Sequence, residues 1–315
     1  MSTTVRSAQS HHGLRRAVAV AALLVLGAVS TAGAQQSYTP PDAAVSALAS
    51  AAKSGDRKGI LTILGPAAAD IVSSGDEVAD TATRERFIAA YDAKHQIAKD
   101  GDSKATMVIG ADDFPFPIPL VRKGEAWQFD TAAGRLEILY RRIGRNELDA
   151  IQASLAYVDA QYEYADKDHG AGVGVYAQRI VSQPGKKDGL YWPAAAGEEE
   201  SPLGELVAAA TAQGYRVGGA RAPFHGYYYK VLTSQGPNAP GGELDYVVHG
   251  KMIGGFGLVA YPAEYGNSGV MTFVVNHNGT IWQKDLGAQT AQLAERMTSF
   301  NPDQTWKKVD TAELQ

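Results

Sequence analysis

Cysteine does not occur anywhere in the 315 residues, and this absence constrains the fold more than any motif in the chain. Without it there is no disulfide, thiolate metal site, iron–sulfur cluster or thiol nucleophile. Stability must come from a packed apolar core. The constraint matters because the N-terminus is laid out like an export leader. Arg6, Arg15 and Arg16 make a positive stretch. From Ala17 to Ala32 there is no charge, and Val18, Val20, Leu23, Leu24, Val25, Leu26 and Val29 supply the apolar centre. Ala32-Gly33-Ala34 then offers the small residues a signal peptidase reads. A spanning helix needs about 20 apolar residues. This run is shorter and ends in a cleavage pattern, so the sequence predicts a cut after Ala34 and a periplasmic or secreted product. Arg15-Arg16 lies between Leu14 and Ala17-Val18-Ala19, a context that fits a general secretory leader better than a twin-arginine one.

Residues 1–34 hold three of the 29 basic residues and none of the 34 acidic ones, which leaves 26 against 34 and a net charge of −8 from Gln35 onward. That balance is spread along the chain with no basic block, so nucleic acid is not an expected partner. No window after Ala34 approaches a membrane span. A chain of this length can bury a sizeable core, and single cores stop growing near about 250–300 residues, so two modules are expected.

The expected fold class is α+β, with modules at 35–144 and 145–315. In the first, Asp42 is placed to cap a helix carrying Ala44, Val45, Leu48, Ala49 and Ala52 at helical spacing up to Gly55. A short helix from Lys58 to Leu64 stops at Gly65-Pro66. A longer one is predicted over 83–99, with Phe87, Tyr91, His95 and Ala98 on one face. Strands follow at 105–109, 120–122 and 126–130, and the alternate prolines of Asp112–Pro119 make a rigid edge or crossover. The second module opens with a break at Gly144 and a cap at Asn146. Its first helix carries Leu148, Ile151, Leu155, Val158, Tyr162 and Ala165 in one stripe. A short helix over 203–212 precedes predicted strands at 227–233, 244–248, 256–261, 270–275 and 280–284, the last two joined at Asn278-Gly279.

Several segments are similar, in this order, to a bacterial exported family known only as domain-of-unknown-function family 2950. They are 51–56, 112–119, the Trp127-Gln128-Phe129-Asp130 stretch through Gly134, and 141–148. Asp188-Gly189-Leu190-Tyr191-Trp192-Pro193 and the 260–266 segment complete the set. The resemblance spans essentially all of the chain beyond the leader and carries no activity with it. The second half more faintly resembles pilin and pseudopilin heads, where a long helix packs on an antiparallel sheet. Here Tyr265-Gly266-Asn267-Ser268-Gly269-Val270-Met271-Thr272-Phe273 stands where such heads often carry a Tyr-Gly-x-x-Gly-Val-x-x-Phe segment. The 146–165 stripe is amphipathic, with no hydrophobic N-terminal half, so assembly into a pilus does not follow.

No complete catalytic, metal or cofactor motif is present. Asp245 and His249 are four apart, which would put both on one face of a strand, and His225 precedes a neighbouring strand. Those three would be the site of an exported hydrolase, with or without a metal. Asp166-Lys167-Asp168-His169-Gly170 starts like a calcium loop but has glycine at the fifth position, so it is expected to be a polar turn. Val270 stands where a nucleophile elbow around Ser268 would need its last glycine, which makes Ser268 a turn residue. The remaining signal is aromatic: Tyr227, Tyr228, Tyr229, Tyr246, Tyr261, Tyr265 and Trp282 crowd the predicted sheet. Half of them would point outward on alternating strands, and an outward patch would meet an envelope protein or a small ligand. The sequence therefore favours a non-catalytic binding or assembly protein acting through Tyr227, Tyr229 and Tyr265, with the hydrolase as its rival.

Overall fold

The structure is a computed structural model that describes residues 35–216 and 222–311. The leader and its cleavage site lie outside the described residues. The first core is built by helices laid on a small antiparallel sheet. Helix α1 (Pro41–Ser54) buries Ala44, Val45, Leu48, Ala49 and Ala52 and ends at Gly55, whose φ of +68° is the left-handed stop that glycine makes easily. Asp56 caps α2 (Arg57–Leu64) through Gly59 N–H. The short α3 (Ala69–Val72) leads to α4 (Glu77–Ala93), capped by Asp76. Strands β1 (His95–Asp100), β2 (Lys104–Ile109), β3 (Phe114–Pro115), β4 (Leu120–Lys123) and β5 (Ala126–Phe129) form the sheet, in the order β1-β2-β4-β5 with β3 also on β2. Met107, Ile109, Leu120, Trp127 and Phe129 close this core against the helices.

Asp130 then caps α5, which runs unbroken for 35 residues from Thr131 to Ala165. It serves both halves: Ile138 packs on the first core, while Ala150, Ile151, Tyr157, Val158 and Tyr164 belong to the second. After α6 (Gly204–Ala212) comes the larger sheet. Its strands are β6 (Tyr227–Leu232), β11 (Gly257–Pro262), β12 (Met271–Asn276), β13 (Trp282–Asp285) and β15 (Lys307–Lys308), antiparallel in the order β15-β13-β12-β11-β6. Between them lie the short β7 (Ser234–Gln235), β8 (Leu244–Asp245), β9 (Val247–Val248) and β10 (Lys251–Met252), and α7 (Thr290–Arg296) and β14 (Ser299–Phe300) complete the chain.

This sheet is covered on both faces. Leu258, Ala260, Phe273 and Val275 point toward α5, while Val259, Tyr261, Val274 and Leu232 join Ala294, Phe300 and Trp306 on the other side. Two covered faces explain why β11 and β12 read as continuous apolar runs rather than alternating ones.

Four expectations are corrected. Gly144 and Asn146 do not start a helix: both sit inside α5, and the Asn146 amide is committed instead to Ser268 O at 2.8 Å. The helix predicted over 83–99 begins at Glu77 and ends at Ala93, because His95–Asp100 turns at Gly101 and pairs with Lys104–Ile109. Asp42 is a first-turn residue of α1, behind the Pro40 cap position. The strand predicted over 244–248 is broken at Tyr246, whose N–H goes to Thr233 O, so β8 and β9 pair with different partners.

Candidate functional site

The break at Tyr246 takes apart the proposed His225, Asp245 and His249 cluster. Asp245 lies exposed on β8, paired with Ser234. His249 and Gly250, with φ of +49° and +78°, form the two-residue turn between β9 and β10. His225 and Gly226 form a second such turn, with φ of +50° and +73° between the mutually bonded Phe224 and Tyr227. Both histidines are thus the first residue of a left-handed turn completed by glycine, a geometry histidine tolerates better than most side chains. Among the described residues no three His, Asp or Glu side chains converge to hold a metal.

The aromatic side chains divide between core and surface. Tyr227 is fully buried and donates its hydroxyl to Met271 O at 2.9 Å. Tyr246 and Tyr261 are core residues. Tyr265 remains half-exposed on a turn, its hydroxyl 3.2 Å from Asp285 Oδ2. Tyr229 is the candidate that lines a cavity.

That cavity, about 400 Å³, lies where α5, α6 and the edge strand β6 meet. Ala153 and Tyr157 line it from α5, Leu206, Val207 and Ala210 from α6, and Tyr228 and Tyr229 from β6, with Phe224 and Tyr215 alongside. Helix α6 presents apolar side chains in an almost continuous run, Leu206-Val207-Ala208-Ala209-Ala210, so it can face both the core and the cavity. The volume falls in the range of about 300–1,000 Å³ typical of small-ligand pockets, and the lining is largely aromatic and aliphatic as such pockets are.

Few polar groups converge on it. Tyr157 donates to Gly257 O at 3.1 Å and accepts from Gln161 Nε2 at 2.9 Å, and burial pushes its phenol well above the ordinary range. The Tyr229 hydroxyl lies 3.5 Å from Phe224 O, at the outer limit of a hydrogen bond, and burial raises its ionisation too. Tyr215 is better held: its hydroxyl donates to Asp76 Oδ2 at 2.9 Å, and burial followed by that carboxylate raises its pKa. Asp76 Oδ2 also accepts Gly226 N–H at 2.9 Å, which fixes the turn carrying His225. His225 Nδ1 stands 3.3 Å from Asp149 Oδ2, one helical turn before Ala153. The arrangement sequesters apolar groups. It does not assemble a nucleophile with a base.

Sequence reading missed this cavity because its wall is made by elements far apart in the chain. One local signal was available: Phe224-His225-Gly226-Tyr227 is a two-residue turn of the X-Gly kind flanked by aromatics. Elsewhere Asp168 Oδ1 accepts Gly170 and Gly172 N–H, both at 2.8 Å, so that carboxylate closes its own turn. Ser268 Oγ accepts Glu264 N–H at 2.9 Å inside the Glu264–Ser268 turn.

A second cleft, about 490 Å³, is framed by α1, α2 and α4 and edged by Arg57, Glu77, Asp80 and Arg84. Its charged edge makes it the weaker candidate for a ligand that must be drawn out of water. Among known proteins, the model of a family described as a protein of unknown function, DUF2950, matches residues 35–309. No curated protein and no solved structure matches the chain.

Proposed function

The chain belongs to the family of unknown function DUF2950, and from that premise we propose that it is an exported binding protein that takes an apolar ligand into the cavity between α5, α6 and β6. One observation carries the reading: a cavity of about 400 Å³ walled by aliphatic and aromatic side chains beside the weakly bonded Tyr229 hydroxyl. Filling such a wall removes apolar surface from water at roughly 25 cal/mol per Å², which favours a ligand with an apolar body. The partner is a small ligand or an apolar side chain of another envelope protein, and no catalytic step is assigned to the site.

A neutral naphthylamine dye tests the cavity. Saturable one-to-one binding is expected, and Val207→Trp, which places an indole in the cavity, should weaken it by about tenfold or more, equivalent to about 1.4 kcal/mol. Equal binding by the variant, or none by the parent protein, would overturn the reading. The leader supports export. Intact-mass analysis of protein released by osmotic shock is expected to begin at Gln35, and a full-length chain confined to the cytoplasm would contradict it.

A further inference from the structure

The cavity lies along a sheet edge where two residues have outward backbone groups without partners among the described residues, and we propose that its ligand is an extended peptide segment that adds a strand to β6 and sends an apolar side chain into the cavity. This rests on the binding reading above and narrows it to a ligand class.

β6 is the edge strand of its sheet, with β11 as its neighbour. In an antiparallel pair only alternate residues bond across the pair, and the residues between them direct N–H and C=O away from it. Ala263 donates its N–H to Gly226 O at 2.9 Å, and with the register this makes Gly226, Tyr228, Lys230 and Leu232 the inward set. The His277 N–H donated to Phe256 O, on the far side of β11, sets the same phase. Tyr227, Tyr229 and Val231 therefore face outward.

The two ends of that outward row are closed. Tyr227 gives its N–H to Phe224 O and takes Phe224 N–H in return, at 3.1 and 2.9 Å. Thr233 gives its N–H to Thr298 O at 3.1 Å and takes Tyr246 N–H at 3.0 Å. Between them, the outward N–H and C=O groups of Tyr229 and Val231 have no partner among the described residues. The open row is thus two donors and two acceptors over about 7 Å, the spacing of two strand residues.

Tyr229 is in the cavity wall and Val231 packs on the core beside it. Backbone groups left unpaired next to apolar surface cost free energy until something bonds them. A small apolar molecule would fill the cavity and leave all four groups unmet. An extended peptide supplies acceptors and donors at the matching alternation while its side chains enter pockets at every second position. Charge refines the choice: after burial, Asp149, Tyr215 and then Asp76 raise the Tyr229 phenol, and Asp149 lies at that end of the cavity against His225. With carboxylates at that end, and Arg216 elsewhere in the lining, a peptide with a basic group beside Asp149 is favoured over an acidic one.

The test uses end-blocked hexapeptides alternating Val and Thr around a central Leu or Phe, with Lys at one end, competing against the naphthylamine dye. Displacement of the dye is expected, together with slowed hydrogen exchange at the Tyr229 and Val231 amides. N-methylation of alternate peptide amides should weaken binding at least about tenfold. Val231→Pro removes an outward N–H without touching the β6–β11 ladder, and should keep the dye while losing the peptides. Dye binding with no displacement by any peptide overturns strand addition and leaves the cavity reading standing. So does displacement that tolerates N-methylation and leaves both amides exchanging as before. Failure of the dye itself overturns the cavity reading.

Discussion

His277 and His169 are the described histidines whose burial opposes protonation. His277 is packed edge-on against Tyr246 and Phe256, and its Nδ1 has no hydrogen-bond partner among the described residues. Burial lowers its pKa from the ordinary 6.5. His169 stacks on Tyr164 and is lowered by burial as well, with Glu199 opposing. A folded pKa below the unfolded one means no penalty above about 6.5, where both states are neutral. As pH falls through that value the unfolded chain takes the proton first, and stability is lost down to the folded pKa. Glu199, held down to about 2 by Lys187 and Lys167, contributes stability that is complete above its ordinary value of 4.5 and is lost only below it, so the two windows separate. The melting temperature is expected to drop between about pH 7 and pH 5, and His277→Gln should flatten that drop. An unchanged slope in the variant would show that His277 is not the group responsible. None of this is visible in the sequence, where His277 reads as a turn residue beside Asn278-Gly279. Chain spacing shows that a histidine ends a strand, but not which rings surround it. His225 and His249 were more legible than the cluster built from them, since each is followed by the glycine that its turn requires.

Among elements, α5 separates local rules from tertiary ones most clearly. Of its expected apolar stripe, Ile151, Val158 and Ala165 are buried while Leu148 and Tyr162 are exposed; the α1 stripe, the β12–β13 pairing and the α6 span are legible in the sequence because each rests on a local pattern. The start was misread because Gly144 and Asn146 match a helix break and cap, and the contact that overrides them, Asn146 to Ser268, spans 122 residues. Residues His95–Asp100 were misassigned for the converse reason: their pattern suits either state, and Gly101 with β2 decides it. Two glycines of α5 give a paired prediction. A Cβ at Gly144 would meet nothing within 4 Å, so Gly144→Ala should stabilise by about 0.5–1 kcal/mol through backbone entropy. A Cβ at Gly134 would come within 2.3 Å of Pro117 O, where α5 crosses the proline-rich segment. Gly134→Ala should therefore destabilise, by about 1–3 kcal/mol as for overpacking. Chemical denaturation of both variants decides the matter, and the same sign for both would refute this account of α5.

For the whole molecule, the two halves are joined by buried polar groups as well as by α5, and the described residues make one compact unit. Asp76, 2% exposed, accepts Val78 and Ala79 N–H with one oxygen and Tyr215 O–H and Gly226 N–H with the other. One carboxylate therefore caps a helix of the first core and holds a turn of the second. Arg142 donates to Asp70 O and Ile71 O at 2.6 Å and to Asn267 Oδ1, while Asn267 Nδ2 reaches back to Ser73 O at 2.9 Å. Glu147 accepts Val270 and Met271 N–H, both at 3.0 Å. Buried groups of this kind are costly when half-satisfied, so neither half can leave without stranding the other's partners. A single cooperative transition is expected, with tryptophan emission and far-ultraviolet circular dichroism coinciding. Asp76→Asn keeps the shape but places an amide donor against Gly226 N–H or the α4 N-terminus, and should cost about 1–3 kcal/mol for each donor left unmet. Its loss should move the transition as one and not split it. Limited proteolysis should spare Gly144, which lies within a continuous helix, and fall first on the exposed Glu198–Glu200 loop. Two resolved transitions in Asp76→Asn, with Trp127 reporting the first core separately from Trp192 and Trp306, would show that the seam does not couple the halves.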